Sequence, residues 1–159
     1  VPTPLAMIGS GLGESVAGDV IRWHVVAMFA PSFFTGFLIK RFGVEPIAII
    51  GLSFLILASI VAFGGLTSVH FYGSLIVLGI GWNFGFIAST TMLANCVLGD
   101  QKSLVQGAND TVIALVSTLC AFAAGAIIAG FGWVTLAATS LVLLVIAFVI
   151  LARETQMTT

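Results

Sequence analysis

Ile47-Ala-Ile-Ile-Gly-Leu-Ser-Phe-Leu-Ile-Leu-Ala-Ser-Ile-Val-Ala62 is sixteen residues without a charge, and Leu141-Val-Leu-Leu-Val-Ile-Ala-Phe-Val-Ile-Leu151 repeats the theme. Neither stretch alternates apolar and polar residues, as a strand of a membrane barrel does over about ten positions. Each belongs to a longer apolar run approaching the roughly 20 residues a spanning helix needs. Helices in a bilayer are therefore the reading. The whole chain agrees: of 159 residues, 60% are hydrophobic and 7% charged. A soluble domain carries about a quarter charged residues. Mean hydropathy is +1.23, which also excludes disorder, since disorder needs low hydrophobicity and high net charge. A formal net charge of −1 leaves no basic patch for nucleic acid. Cys96 and Cys120 lie in apolar runs and form neither a disulfide framework nor a metal-ligand pattern. No metal and no cofactor is expected.

Five complete spans are predicted, at 16–39, 46–64, 71–98, 104–129 and 133–152. Punctuation separates them: Lys40-Arg41-Phe42-Gly43, Gly64-Gly65, Gly99-Asp100-Gln101-Lys102 and Gly130-Phe131-Gly132. Residues 1–9, with Pro2 and Pro4, are too short to span, and they read as the end of a helix in a truncated chain. Lys and Arg collect in cytoplasmic loops. Lys40, Arg41, Lys102 and Arg153 all follow odd-numbered spans, so they share one face. This expectation puts the C-terminus in the cytoplasm and the first residues near the outer surface.

Ionisable groups at membrane depth are costly and usually meet a cavity or a partner. In the first span Asp19 and Arg22 share a helix face beside Trp23, and His24 points to a different neighbour. They read either as an interfacial ion pair and an interhelical donor or as groups that meet a solute or a proton. Pro31 should kink this helix by removing the hydrogen bond to the Ala27 carbonyl. In the third span Gly81-x-x-x-Gly85 permits close helix approach. Asn83 and Thr90 run down one face there, and Asn83 reads equally as a ligand contact or a helix–helix bond. In the fourth span Gln106, Asn109, Asp110, Ile113 and Ser117 form one stripe. Ser117, Ala121, Gly125 and Ala129 continue it as a close-packing seam. Asp110 lies about two turns inside the helix start, so it is either hydrogen-bonded in the bundle or a proton carrier. No paired carboxylates face one another as an intramembrane enzyme would require, and no phosphate-binding loop is present to use ATP. An enzyme is not expected. A channel lacks a continuous polar pore, and a passive scaffold leaves Asp110 and Asn83 without a role.

Gly36-Phe-Leu-Ile-Lys40-Arg41-Phe-Gly43 resembles the signature loop of the major facilitator superfamily, in the weaker form found between helices eight and nine. Gly36, Arg41 and Gly43 match that motif. Lys40 replaces its acidic residue, and Val44-Glu45 replaces its basic pair. Trp23-His24-Val-Val-Ala-Met-Phe-Ala-Pro31-Ser-Phe-Phe-Thr-Gly36, Gly79-Ile-Gly-Trp-Asn83-Phe-Gly and Gln106-Gly-Ala-Asn109-Asp110 are similar to a bacterial branch of it. The resemblance covers nearly the whole chain, from the end of helix seven through helix twelve. It implies an all-α integral membrane fold, the C-terminal six-helix half of a twelve-helix bundle. It further implies a secondary active transporter of a small solute in the plasma membrane, working by alternating access and coupled to protons or another ion. The partners are then the solute, the bilayer and the N-terminal half of the same protein. Helices seven, eight, ten and eleven would line the cavity. Its lining would include Arg22, Trp23, His24, Asn83, Thr90, Gln106 and Asn109, with Asp110 and Asp19 in proton coupling. The loop with Gly36, Lys40, Arg41 and Gly43 would stabilise one conformational state.

Overall fold

The computed structural model describes residues 3–97 and 99–157. Val1, Pro2 and Leu98, at the edges of two of the predicted stretches, lie outside them. The described residues form α1 (Thr3–Gly9), α2 (Glu14–Phe29), α3 (Ser32–Phe42), α4 (Val44–Phe63), α5 (Ser68–Cys96) and α6 (Lys102–Met157), with a short 3-10 turn at Gly99–Gln101. None of these residues is in a strand.

α2 and α3 are one apolar crossing, 14–42, interrupted at Ala30 and buried Pro31. The interruption falls where proline removes the backbone donor. Thr35 then restarts the ladder, its amide donating to the Pro31 carbonyl at 2.9 Å. α3 and α4 are joined by Gly43 alone, with φ 92° and ψ 161°. That backbone conformation is essentially closed to residues with a Cβ.

At Gly51, Gly81 and Gly85, α4 lies against α5 with almost no side chain between them. A Cβ on Gly51 would stand 2.5 Å from the Gly85 amide nitrogen, and one on Gly81 would stand 2.9 Å from the Gly51 carbonyl oxygen. The Gly81-x-x-x-Gly85 pattern is thus a backbone-to-backbone contact. α2 closes on α5 in the same way at Gly79, where a Cβ would meet the His24 carbonyl oxygen at 2.8 Å. One cluster joins Met7, Val20, Phe71 and Leu75 from α1, α2 and α5. A second joins Ile47, Ala48, Phe84 and Ala88 from α4 and α5.

The sequence suggests two separate spans after residue 103, and the structure has two helical arms there within α6, meeting at a kink where Gly132 leaves the helical conformation (φ 80°, ψ 178°). The Gly130-Phe131-Gly132 punctuation contains no proline, so the helical ladder needs to break at only one residue. Four helical stretches, 14–42, 44–63, 68–96 and 102–153, are thereby long and apolar enough to cross a membrane. At 1.5 Å per residue the last would be about 78 Å if straight, more than twice a hydrocarbon core of about 30 Å. The bend divides it into arms of about 45 Å (102–131) and about 32 Å (133–153) by the same rise. The second arm runs antiparallel to α4: Trp133 donates its indole N–H to the Ala62 carbonyl at 2.8 Å, and Leu151 packs on the Ile47–Ala48 cluster. Among the described residues the first arm packs on the other crossings near its Gly132 end, through Ala124 and Ile128, and is otherwise largely exposed.

Candidate functional site

Two kinds of polar residue emerge at membrane depth. The first kind is turned inward and already bonded. His24 on α2 is buried and lies with Nδ1 2.7 Å from the Leu75 carbonyl of α5. A carbonyl only accepts, so Nδ1 carries the proton in this contact. Asn83 on α5 is buried against the α2–α3 break. Its two amide hydrogens go to the Met28 carbonyl at 2.7 Å and the Ser32 hydroxyl at 2.6 Å. The hydroxyl of Thr35 lies 2.8 Å from both the Asn83 Oδ1 and the Pro31 carbonyl, and its single hydrogen is shared between them. The amide therefore bridges both sides of the interruption. Met28 belongs to α2, and Ser32 and Thr35 to α3. Such a break frees carbonyls that a bilayer cannot solvate, and a neighbouring helix must satisfy them. Thr90, half-buried on the same helix as Asn83, bonds back to the Phe86 and Ile87 carbonyls of its own turn.

The second kind is turned outward. Arg22 donates to the Asp19 carboxylate at 2.6 Å, with the two side chains 74% and 46% exposed. Their face of α2 lies away from the Ala17, Val20, His24 and Ala27 face that meets α5. Trp23 beside them is exposed as well. At 1.5 Å per residue Arg22 is about 12 Å along α2 from Glu14, within the depth of a leaflet. Gln106 and Asp110 are exposed on the first arm of α6 and Asn109 is half-exposed. Asp110 has no hydrogen bond or ion pair among the described residues. The structure thus brings His24 to α5, and Asn83 and Thr35 together. It leaves the Asp19–Arg22 pair and the Asp110 stripe on separate, unpartnered faces.

At the α3–α4 corner Lys40 and Arg41 are exposed, and the Arg41 guanidinium stands 5.4 Å from the centre of the Phe42 ring. Gly43 supplies the turn. A Cβ on Gly36 would meet nothing within 4 Å, so no contact within this chain requires glycine there. No group of three or more His, Cys, Asp or Glu capable of holding a metal occurs among the described residues.

Sequence reading alone passes over Trp82 and Phe86, whose rings stack 4.7 Å apart and 7° from parallel on α5. The available signal was depth: Trp82 is fourteen residues from either end of Ser68–Cys96. The aromatic belts of membrane proteins lie at the interfaces instead.

No protein-family model matches the chain, and no solved structure matches it. Among curated proteins it is 47% identical over 133 residues to a riboflavin transporter of Brucella anthropi, RfnT, covering 84% of this chain and 33% of that protein. It is 33% identical over 136 residues to YdeG of Bacillus subtilis, an uncharacterised transporter of the major facilitator type, covering 84% of this chain and 32% of that one. YddS of the same organism, described likewise, is 32% identical over 143 residues, or 89% and 33% of the two chains. The chain spans about a third of the length of the curated relatives it matches. Membrane-crossing helices, the glycine–arginine corner and these relatives converge: the chain belongs to the major facilitator superfamily, and carries the helices of its C-terminal half.

Proposed function

We propose that the chain is part of a secondary active transporter in the bacterial plasma membrane. It moves a small solute by alternating access, drawing on a proton or other ion gradient, and riboflavin is the first solute to test. The chemistry is transport and not catalysis. One observation carries this reading: the charged and amide side chains of α2 and of the first arm of α6 lie on faces that no described residue covers. The second arm of α6 and α4 are apolar almost throughout. A bare charged face at that depth calls for water, a solute or an opposing half of the molecule. The 47% identity to a protein named as a riboflavin transporter supports the choice of solute.

In this reading Arg22, Trp23, Thr90, Gln106 and Asn109 line a cavity between two halves. His24 and Asn83 fix the helices that present it. Asp110 carries the coupling proton, and Asp19 holds Arg22 in place. The Gly36–Lys40–Arg41–Gly43 corner lies on the cytoplasmic side with the C-terminus and stabilises one of the two states. Uptake of labelled riboflavin into cells making the full-length protein tests the reading. Saturable uptake that collapses on adding a protonophore is the expected result. Uptake linear in concentration and indifferent to the gradient would mean a channel, and no riboflavin uptake would remove that solute. Asp110→Asn should cut uptake about tenfold or more and flatten its pH dependence; unchanged rates and an unchanged profile would end the proton-carrier role.

A further inference from the structure

We infer that the groove between α4, α5 and the second arm of α6 holds an acyl chain of an anionic phospholipid, whose headgroup sits on Lys40, Arg41 and Arg153. This site is separate from the solute cavity. Ala48, Leu52 and Leu55 of α4, Trp82 and Phe86 of α5, and Leu151 of α6 line an opening of about 280 Å³. A cavity of about 150 Å³ already admits benzene. Ser89 is the one hydroxyl in the lining, and it donates back to the Phe86 carbonyl of its own helix at 3.1 Å. The stacked rings of Trp82 and Phe86 give the groove a flat wall. From Met92 to Trp82 the lining climbs about 15 Å by helical rise, half of a hydrocarbon core of about 30 Å. The groove is therefore one leaflet deep. Water finds no partner on such walls, whereas a chain gains contacts along all of them.

The rim of the groove selects the headgroup. One apolar cluster joins Leu38, Ile39 and Val44 to Leu151 around Ile47 and Ala48. Lys40 and Arg41 directly follow Ile39, and Arg153 lies two residues beyond Leu151. Three cations from distant parts of the sequence thus meet at one end of the groove. All three side chains are exposed, and none is in an ion pair among the described residues. Glu45, half-buried on the first turn of α4, is the carboxylate that α4 brings beside them. Positive charge at the mouth of an apolar groove between membrane helices complements an anionic headgroup and its chain together. A second copy of this chain fits worse. Across a twofold axis it would set these cations against their own counterparts, and like charges repel.

Native mass spectrometry of the purified full-length transporter, titrated with palmitoyl-oleoyl phosphatidylglycerol or phosphatidylcholine, tests the site. No solute is needed, so the result is independent of riboflavin. Wild-type protein should hold one phosphatidylglycerol at least about tenfold more tightly than phosphatidylcholine, since each cation near the headgroup is worth about fivefold. The triple variant Lys40→Gln, Arg41→Gln, Arg153→Gln should lose that preference. Arg153→Gln alone, at an exposed helix end, should reduce it about fivefold, and it carries the charge test if the triple variant does not fold. A Cβ on Gly85 meets nothing within 4 Å, and Gly85 lines the groove. Gly85→Leu should therefore plug it and weaken both lipids about tenfold, the equivalent of about two buried methylenes. Should that variant fail to fold, Ser89→Phe plugs the same opening from an exposed position. Equal retention of the two lipids by wild type, or an unchanged preference in the charge variants, overturns the headgroup site. Plugged protein that keeps phosphatidylglycerol within twofold of wild type overturns the groove. So does glycerol phosphate that binds as tightly as the lipid, which would mark a site for free phosphate esters. A lipid-free dimer that Gly85→Leu dissociates would give the groove to a second copy.

Discussion

Replacing Asn83 with alanine removes a side chain that ties both sides of the α2–α3 interruption to α5. Two donated hydrogen bonds and a shared third are lost, to Met28, Ser32 and Thr35. Interhelical hydrogen bonds in membranes average about 0.6 kcal/mol, with a maximum of about 1.7. Three together contribute about 2 kcal/mol, and the void left at a position only 2% exposed adds on the order of 1 kcal/mol. The sum, about 3 kcal/mol, is much larger than the change expected at a bilayer-exposed position. It should appear as a clear drop in the melting temperature of the full-length protein in lipid nanodiscs. A double-mutant cycle with Thr35→Ala isolates the shared bond and should give a coupling of about 0.6–1.7 kcal/mol. An unchanged melting temperature together with zero coupling would refute the account of Asn83 as a pin across the break. An increase in riboflavin KM at unchanged stability would instead return it to the solute.

Two further substitutions probe the backbone. Gly51→Ala places a methyl 2.5 Å from the Gly85 nitrogen and must push α4 and α5 apart; overpacking of this kind costs about 1–3 kcal/mol, and full stability at wild-type uptake would contradict the close contact. Gly43→Ala has room, its nearest neighbour being the Pro46 ring at 3.6 Å. It forces alanine into a glycine-only conformation at about 1–3 kcal/mol, and unaltered thermal unfolding would show that the corner relaxes freely.

Much of this architecture is legible before any coordinates, because hydrocarbon permits few solutions. Runs such as 47–62 had to be helices, since only a helix or a closed barrel satisfies its own backbone there. Pro31 had to interrupt, and Gly81-x-x-x-Gly85 announced a close neighbour. What repaired the interruption was beyond a one-dimensional reading. Asn83 is about fifty residues from Met28 and Ser32, and only the packing of α5 on α2 brings them together. The alternatives for Asn83 stayed balanced for that reason, as a ligand and a helix break offer an amide the same hydrogen bonds. The kink of α6 at Gly132 falls within the Gly130-Phe131-Gly132 punctuation, though glycine permits a turn without dictating how many residues leave the helix.

The single residue between α3 and α4 has a mechanical consequence. From 14 to 63 the chain departs from helical hydrogen bonding only around Pro31 and at Gly43. A tilt of the N-terminal half of the first crossing cannot be absorbed gradually along a flexible tether. It is either taken up at the proline or delivered, nearly undiminished, to two torsions beside Lys40 and Arg41. Those cationic side chains then travel with the hinge, so their position reports how the first crossing is tilted.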